Sequence, residues 1–322
     1  MGQILVTGGA GFIGSHLSER LLNEGHEVIC IDNFNDHYDP QIKRRNIEPL
    51  LNNRNFTLLE GDILDMQFLQ QIFQTSEINI IVHLAARAGV RPSIHKPLIY
   101  QQVNVQGTTH VLEMARQFKI EKFIFGSSSS VYGQNRKIPF SEDDPVDHPI
   151  SPYAATKKAC ELICYTYHHL YKLPITCLRF FTVYGPRQRP DMAIHKFTNN
   201  IYHDKNISIF GDGNSIRDYT YITDIIDGIL KSIEFCAGYH IYNLGESKTI
   251  ELRQLIDLIA SCLGKEPRIE FLPVQPGDVP ITYADISKAK RELGYHPKIE
   301  IAQGIEKFVA WYEKINTLVD LK

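Results

Sequence analysis

Four glycines, Gly8, Gly9, Gly11 and Gly14, stand between an apolar run at 4–7 and an amphipathic stretch at 12–24. Glycine there lets the chain turn tightly out of a strand and lets a phosphate approach the N-terminus of the following helix. The run fits both G-x-x-G-x-x-G (Gly8, Gly11, Gly14) and G-x-G-x-x-G (Gly9, Gly11, Gly14), in the strand–turn–helix context that such a motif requires. It commits the N-terminus to the first β-α unit of a dinucleotide-binding sheet. Asp32 closes the next apolar run, 18 residues after Gly14. A carboxylate at that point accepts hydrogen bonds from ribose hydroxyls and repels a 2′-phosphate, which favours NAD over NADP.

The same alternation continues to about residue 180. Apolar runs at 4–7, 28–31, 57–60, 80–83, 123–126 and 176–179 read as buried strands, with helices over 12–24, 65–75, about 97–118 and 153–171 between them. This pattern predicts an α/β fold, a doubly wound parallel (Rossmann) sheet. Beyond Phe181 prolines and glycines such as Pro186, Pro190, Gly211, Gly213, Pro276 and Gly277 punctuate shorter elements. A smaller, interleaved α/β substrate lobe is expected there. The division is 1–181, joined by 223–247 as a returning helix and strand, against 182–222 and 248–322. A cleft between the two is where a small molecule binds.

Composition narrows the partners. The net charge of −3 argues against bulk nucleic acid or an anionic membrane surface. No apolar run reaches about 18 residues, so no membrane span is expected, and the first strand begins too near Met1 to leave room for a signal peptide. Gly2 is followed by Val6 where a myristoylation signal has Ser or Thr. The six cysteines form no C-x-x-C pair and read as reduced thiols of a cytoplasmic protein. No metal is expected. Lys43-Arg44-Arg45 reads equally as a solvated helix face or as a contact to a cofactor phosphate.

The chemistry is carried by Tyr153-Ala-Ala-Thr-Lys157. Helical i, i+4 spacing puts both side chains on one face. An ammonium beside a phenol favours the phenolate, and such a phenol can act as a base near neutral pH. With a dinucleotide alongside, the pair suggests removal of a proton from an alcohol and of a hydride from the same carbon. Gly126-Ser-Ser-Ser-Ser130-Val-Tyr-Gly133 ends the fifth strand, where hydroxyls can meet both a substrate and Tyr153. Gly61-Asp62, after the third strand, reads either as an ordinary turn pair or as placing Asp62 within reach of an adenine amino group. His83-Leu-Ala-Ala86 ends the fourth strand with small residues against which a cofactor can lie. Arg187, Arg189 and Arg217 fall in the looser lobe and suggest a substrate with several negative charges.

Together these segments resemble the extended short-chain dehydrogenase/reductase family, and within it the NAD-dependent nucleotide-sugar epimerases and dehydratases. The resemblance covers essentially the whole chain. It rests on Thr7-Gly-Gly-Ala-Gly-Phe-Ile-Gly14, Asp32-Asn33, Gly61-Asp62-Ile63, His83-Leu-Ala-Ala86, Asn104-Val-Gln-Gly-Thr108, the serine run, the Tyr153/Lys157 pair and Gly211-Asp-Gly-x-x-x-Arg217-Asp218-Tyr219. It implies cofactor contacts at Gly8, Gly11, Phe12, Ile13, Gly14, Asp32, Asn33, Lys43, Asp62, Ile63, Leu84, Ala85, Ala86, Tyr153, Lys157 and Phe180. Substrate contacts are implied at Gly89, Arg91, Ser128, Ser129, Ser130, Tyr153, Thr182, Arg189, Arg217 and Asp278. Tyr153, Lys157 and Ser128 are the implied catalytic residues.

Arg179-Phe-Phe-Thr182-Val-Tyr-Gly-Pro186 followed by Arg189-Pro-Asp-Met-Ala193 looks like the UDP-glucuronate 4-epimerase pattern. The resemblance implies reversible C4 epimerisation of UDP-glucuronate to UDP-galacturonate through a 4-keto sugar, with NAD taking and returning the C4 hydride. Arg189 is then the residue that faces the uronate carboxylate, beside the serine run and Thr182. Sugar 4,6-dehydratases carry an Asp-Glu pair where this chain has Ser129 and Ser130, and UDP-galactose 4-epimerases usually have Asn in place of Thr182. Ser128 departs from the Thr common among uronate epimerases but keeps the hydroxyl. The alternatives are a UDP-glucuronate decarboxylase, a neutral UDP-sugar 4-epimerase and, more remotely, a non-catalytic NAD-binding sensor. The resemblance also implies a homodimer built from the helices near 97–118 and 153–171. Plant relatives carry an N-terminal membrane anchor, and this chain reads instead as a bacterial-type cytoplasmic enzyme.

Overall fold

A computed structural model of the protein describes residues 2–320. Its strands are β1 (Gln3–Thr7), β2 (Glu27–Asp32), β3 (Phe56–Glu60), β4 (Ile78–His83), β5 (Lys122–Ser128), β6 (Ile175–Phe180), β7 (Thr182–Tyr184), β8 (Asn206–Phe210), β9 (Ile216–Arg217), β10 (Tyr219–Tyr221), β11 (Tyr239–Leu244), β12 (Ile250–Glu251) and β13 (Arg268–Leu272). Seven of them form one parallel sheet in the order β11-β6-β5-β4-β1-β2-β3.

Side chains alternate across a strand, so the apolar runs supply both faces. Ile4 and Val6 pack with Val28, Cys30, Val82, Ile124 and Leu178 on one side. Leu5 packs with Ile29, Ile31, Ile81, Phe123 and Phe125 on the other. Helices Phe12–Asn23 and Ile222–Glu234 pack on each other, and Met66–Thr75, Gly107–Gln117 and Pro152–Tyr171 form a second contiguous group. Strand order reverses between β1 and β4, which opens a crevice at their C-terminal ends. The parallel pairs β7–β10 and β8–β13, the antiparallel pair β9–β12 and helices Ala193–Tyr202, Leu252–Leu263 and Ile301–Asp320 build the rest.

The expected helix over about 97–118 is interrupted. Residues Pro97–Tyr100 and Gly107–Gln117 are α-helical, and Gln101–Gln106 between them is π-helical. A π-turn widens the helix locally and is frequent near functional sites. Here it carries Asn104, whose amide accepts from the Arg87 backbone N–H (2.8 Å) and donates to the Arg87 carbonyl (3.0 Å) and Thr156 Oγ1 (3.0 Å). Asn104 thereby ties the loop after β4 to the helix that bears Tyr153. That helix is capped by Ser151 Oγ, which accepts from Ala154 N at 3.1 Å, with Pro152 in its first turn.

A buried ion pair locks β6 to the same helix. Arg179 Nε and Nη2 each donate to Glu161 at 2.9 Å, and both side chains are 1% exposed. Ser127 Oγ donates to Glu161 at 2.7 Å, and Arg179 Nη1 donates to Tyr132 Oη at 3.0 Å. Removing one partner of such a pair leaves an uncompensated buried charge. Glu161→Ala is therefore expected to lower stability by about 3–5 kcal/mol, read as a shift of the denaturant midpoint; an unchanged midpoint would contradict this account. Cys30, Cys160, Cys164, Cys177 and Cys236 are buried free thiols, and Cys262 is exposed.

Candidate active site

The glycine turn leaves β1 with Gly8 at φ +67°, its N–H donating to Ile31 O at 2.7 Å. A Cβ on Gly8 would lie 2.8 Å from Ala85 N, and one on Gly14 would lie 2.3 Å from Gly8 O. Both positions must therefore stay bare, and the turn presents backbone at the N-terminus of helix Phe12–Asn23. The end of β4 is held beside it by a buried relay. Thr7 Oγ1 and His83 Nδ1 are 2.7 Å apart, His83 Nε2 and Thr108 Oγ1 are 3.0 Å apart, and Ala85 N donates to Thr7 Oγ1 at 3.2 Å. Burial lowers the His83 pKa to about 3, so it bridges as a neutral imidazole.

Asp32, at the end of β2, accepts from Lys43 Nζ at 2.9 Å and from Phe34 N at 3.0 Å. Lys43 is thus buried and committed to Asp32, off the solvated face of its helix. Arg44 bonds Glu60 (3.0 Å) and stacks on Phe34. Asp62 Oδ2 accepts from Asn33 Nδ2 at 2.8 Å, while Oδ1 accepts from Leu64 N at 2.9 Å. The bare turn, small Ala85 and Ala86, and buried Asp32 make a trough suited to a dinucleotide.

On the far side of the crevice, Tyr153 and Lys157 face the same cavity. Lys157 Nζ donates to Gly126 O at 2.6 Å. The Tyr153 ring lies edge-on to Tyr100 with centroids 6.2 Å apart, and its backbone N–H donates to Ser93 Oγ at 3.1 Å. Ser128 Oγ donates to Ser130 Oγ (3.1 Å) and accepts from Ser130 N (3.2 Å), capping the turn that ends β5. Arg189 enters from the loop after β7. Its Nε and Nη2 donate to the two carboxylate oxygens of Asp191 at 2.9 and 2.7 Å.

These groups line one cavity of about 530 Å³. Its wall includes Gly8, Gly11, Phe12, Ile13, Gly14, Asp32, Asn33, Lys43, Asp62, Ile63, Leu84, Ala85, Ala86 and Phe180 of the expected cofactor set. Of the expected substrate set it includes Gly89, Arg91, Ser128, Ser129, Ser130, Tyr153, Thr182, Arg189 and Asp278. Arg91 donates to Asp278 at 2.6 Å and stacks on Phe210. Arg217 is not on the wall. Its Nη1 donates to the carbonyls of Ile216 (2.9 Å) and Pro280 (3.2 Å). Arg187 is turned away too, with φ +66° and its guanidinium on Glu19 at 2.8 Å.

His37, Tyr38, Asn35 and Asp191 line the cavity without having been singled out from the sequence. The first three lie on the loop after Asp32, and that loop carries no chemical motif. Asp191 sits inside the quoted Arg189-Pro-Asp segment, so an acid two residues from a candidate anion receptor was the available signal.

The parallel sheet, bare glycine turn and Tyr/Lys helix define an enzyme of the short-chain dehydrogenase/reductase class in its extended form. The family model described as GDP-mannose 4,6 dehydratase matches residues 5–308, and the chain belongs to that family. An uncharacterized protein of Methanocaldococcus jannaschii is 50% identical over 312 residues, 96% of each chain. A UDP-glucuronate 4-epimerase of Thermodesulfobacterium geofontis is 46% identical over the full length of both chains. The crystal structure of UDP-glucuronic acid 4-epimerase from Bacillus cereus, in complex with UDP-glucuronic acid and NAD, superposes with a TM-score of 0.91. It is 39% identical and covers 97% of this chain and 99% of its own.

Proposed function

We propose that the protein interconverts UDP-glucuronate and UDP-galacturonate by epimerisation at C4, with NAD retained through turnover. The observation that carries this reading is Arg189, an arginine facing the same cavity as Tyr153, Lys157, Ser128–Ser130 and Thr182. Bound NAD would supply the acceptor and then the donor of the C4 hydride. Tyr153 takes the 4-OH proton, Lys157 stabilises the phenolate, and Ser128 orients the hydroxyl. The glycine turn, Asp32, Asn33, Lys43, Asp62 and Ile63 hold the cofactor; Gly89, Arg91 and Asp278 hold the nucleotide. Arg189, Thr182 and the serines hold the uronate carboxylate near the plane of the C4 carbonyl. The 4-keto sugar is a β-keto acid, and it loses CO2 when that carboxylate rotates out of the plane. Although the family model takes its name from a dehydratase, Ser129 and Ser130 offer no acid for eliminating water.

Incubation with UDP-glucuronate, read by mass and sugar NMR, tests the reading. A product of unchanged mass with inverted C4 supports it; a pentose product 44 mass units lighter, or no conversion, overturns it. Residues 1–181 with 223–247 are proposed as the NAD-binding part, and 182–222 with 248–322 as the sugar-nucleotide lobe. A homodimer is proposed through the helices near 97–118 and 153–171, on which Leu98 (79%), Leu162 (56%) and Leu170 (59%) are exposed. Among the described residues no helix is long and apolar enough to cross a membrane. A cytoplasmic location is part of the same proposal.

Cofactor selectivity follows from Asp32. A 2′-phosphate placed beside its carboxylate meets repulsion that neighbouring Lys43 only partly offsets. Protein stripped of cofactor is expected to bind NAD at least about tenfold more tightly than NADP, about 1.4 kcal/mol, by calorimetry. Asp32→Ala frees Lys43 and should narrow or reverse that ratio. Equal affinities in the unaltered protein would contradict the assignment.

A further inference from the structure

The cavity is charge-balanced before a ligand arrives. Lys43, Arg91, Lys157 and Arg189 line it, and so do Asp32, Asp62, Asp191 and Asp278. Three of the four cations are already paired: Lys43 with Asp32, Arg91 with Asp278 and Arg189 with Asp191. Asp191 occupies the Nε–Nη2 edge of Arg189, whose side chain is only 18% exposed. A second carboxylate placed against this guanidinium would bring an uncompensated negative charge into a largely desolvated position, which is costly.

One titratable group is placed to answer that charge. His37 lines the same wall, and its Nε2 is buried without a hydrogen-bond partner. The charged groups that bear on it are Arg189 and Asp191 from the loop after β7 and Arg87 from the loop after β4. Asp36 and Tyr38 flank it in sequence, and Asp36 lies 3.7 Å from Arg87. Burial, and then the positive charge of Arg189, hold the His37 pKa below its ordinary value, which favours the neutral imidazole. A carboxylate docking on Arg189 adds a negative charge and pushes that pKa back up.

We infer that Arg189, Asp191 and His37 act as one receiver for the sugar carboxylate: Asp191 fixes the direction of the Arg189 fork, and His37 takes up a proton as the carboxylate docks. Asp191 is in this sense a positioning residue, and His37 balances charge. The inference rests on the uronate reading above, which it deepens.

The test uses NAD-loaded Tyr153→Phe protein, so that no turnover heat contributes. UDP-glucuronate and UDP-glucose are titrated at pH 7 in two buffers of different ionisation enthalpy. The ligands differ only at C6, so excess proton uptake with UDP-glucuronate reports the carboxylate. That excess is expected to be a measurable fraction of one proton per site. It should vanish in His37→Gln/Tyr153→Phe. It should shrink in Asp191→Asn/Tyr153→Phe, where an unpaired Arg189 balances part of the charge of the carboxylate. With Tyr153 intact, Asp191→Asn alone should release a larger share of CO2 during turnover, because Arg189 is less firmly aimed. Buffer-independent heats, uptake that persists in the His37→Gln protein, or uptake undiminished in the Asp191→Asn protein would overturn the inference. If wild type leaves UDP-glucuronate unconverted, the uronate reading itself falls. If wild type epimerises it but excess uptake is missing, only this inference does.

Discussion

Tyr153→Phe is expected to keep NAD while slowing conversion of UDP-glucuronate by about 10²–10⁴-fold, the usual worth of general acid–base catalysis. The phenol oxygen is the only polar atom removed. Its ring contact with Tyr100 and the backbone bond from Tyr153 N to Ser93 Oγ do not involve that oxygen, so the fold and the cavity wall should survive. Lys157→Met should be impaired for a different reason. Among the described residues it deletes the one cation on the wall without a carboxylate partner, whose ammonium is held by Gly126 O at the end of β5. Absorbance of retained cofactor and single-turnover kinetics separate loss of binding from loss of chemistry. A Tyr153→Phe enzyme within threefold of wild type in kcat would refute the base assignment.

Why so much of this was readable from the chain is a matter of physics at two scales. A parallel sheet covered on both faces demands continuous apolar runs, and 4–7, 28–31 and 123–126 supply them. A pyrophosphate-binding turn demands bare Cα atoms, and the clash a Cβ would make at Gly8 or Gly14 explains why the glycines stand where they do. Motifs at strand ends therefore project onto one crevice, and nearly all the expected residues meet there. What escaped the sequence is pairing that depends on loop backbone. Arg217 stands in a motif-like segment, yet the β9–β12 pairing and the Pro280 carbonyl take its guanidinium off the wall. Arg187 adopts a left-handed backbone and turns to Glu19. Lys43, read equally as a solvated position or a phosphate contact, is drawn inward by Asp32. The π-turn around Asn104 has no signature in helical periodicity, because it is stabilised by side-chain bonds to Arg87 and Thr156.

Arg189 gives the second large effect, and its pairing with Asp191 changes what its removal should do. Arg189→Ala deletes the receptor for the uronate and also leaves the Asp191 carboxylate facing the cavity unopposed. Truncating one partner of a desolvated, hydrogen-bonded charge pair costs on the order of 2–5 kcal/mol, so the KM for UDP-glucuronate should rise by at least about 30-fold. Binding of UDP, which has no uronate, should change far less. The freed carboxylate of the 4-keto sugar can rotate out of the carbonyl plane, and part of the flux should leave as CO2 and a UDP-pentose. Arg189→Lys should rescue only in part, since an ammonium lacks the planar fork that grips two oxygens at once. Adding Asp191→Asn to Arg189→Ala should recover some affinity by removing the repulsion, but should not suppress the CO2 leak, because the guanidinium fork that Thr182 and the serines complement is still missing. Steady-state kinetics with UDP-glucuronate, UDP titration and product mass separate these effects. If Arg189→Ala leaves both KM and product distribution unchanged, the carboxylate is held elsewhere on the wall, and the uronate reading loses the residue that carries it.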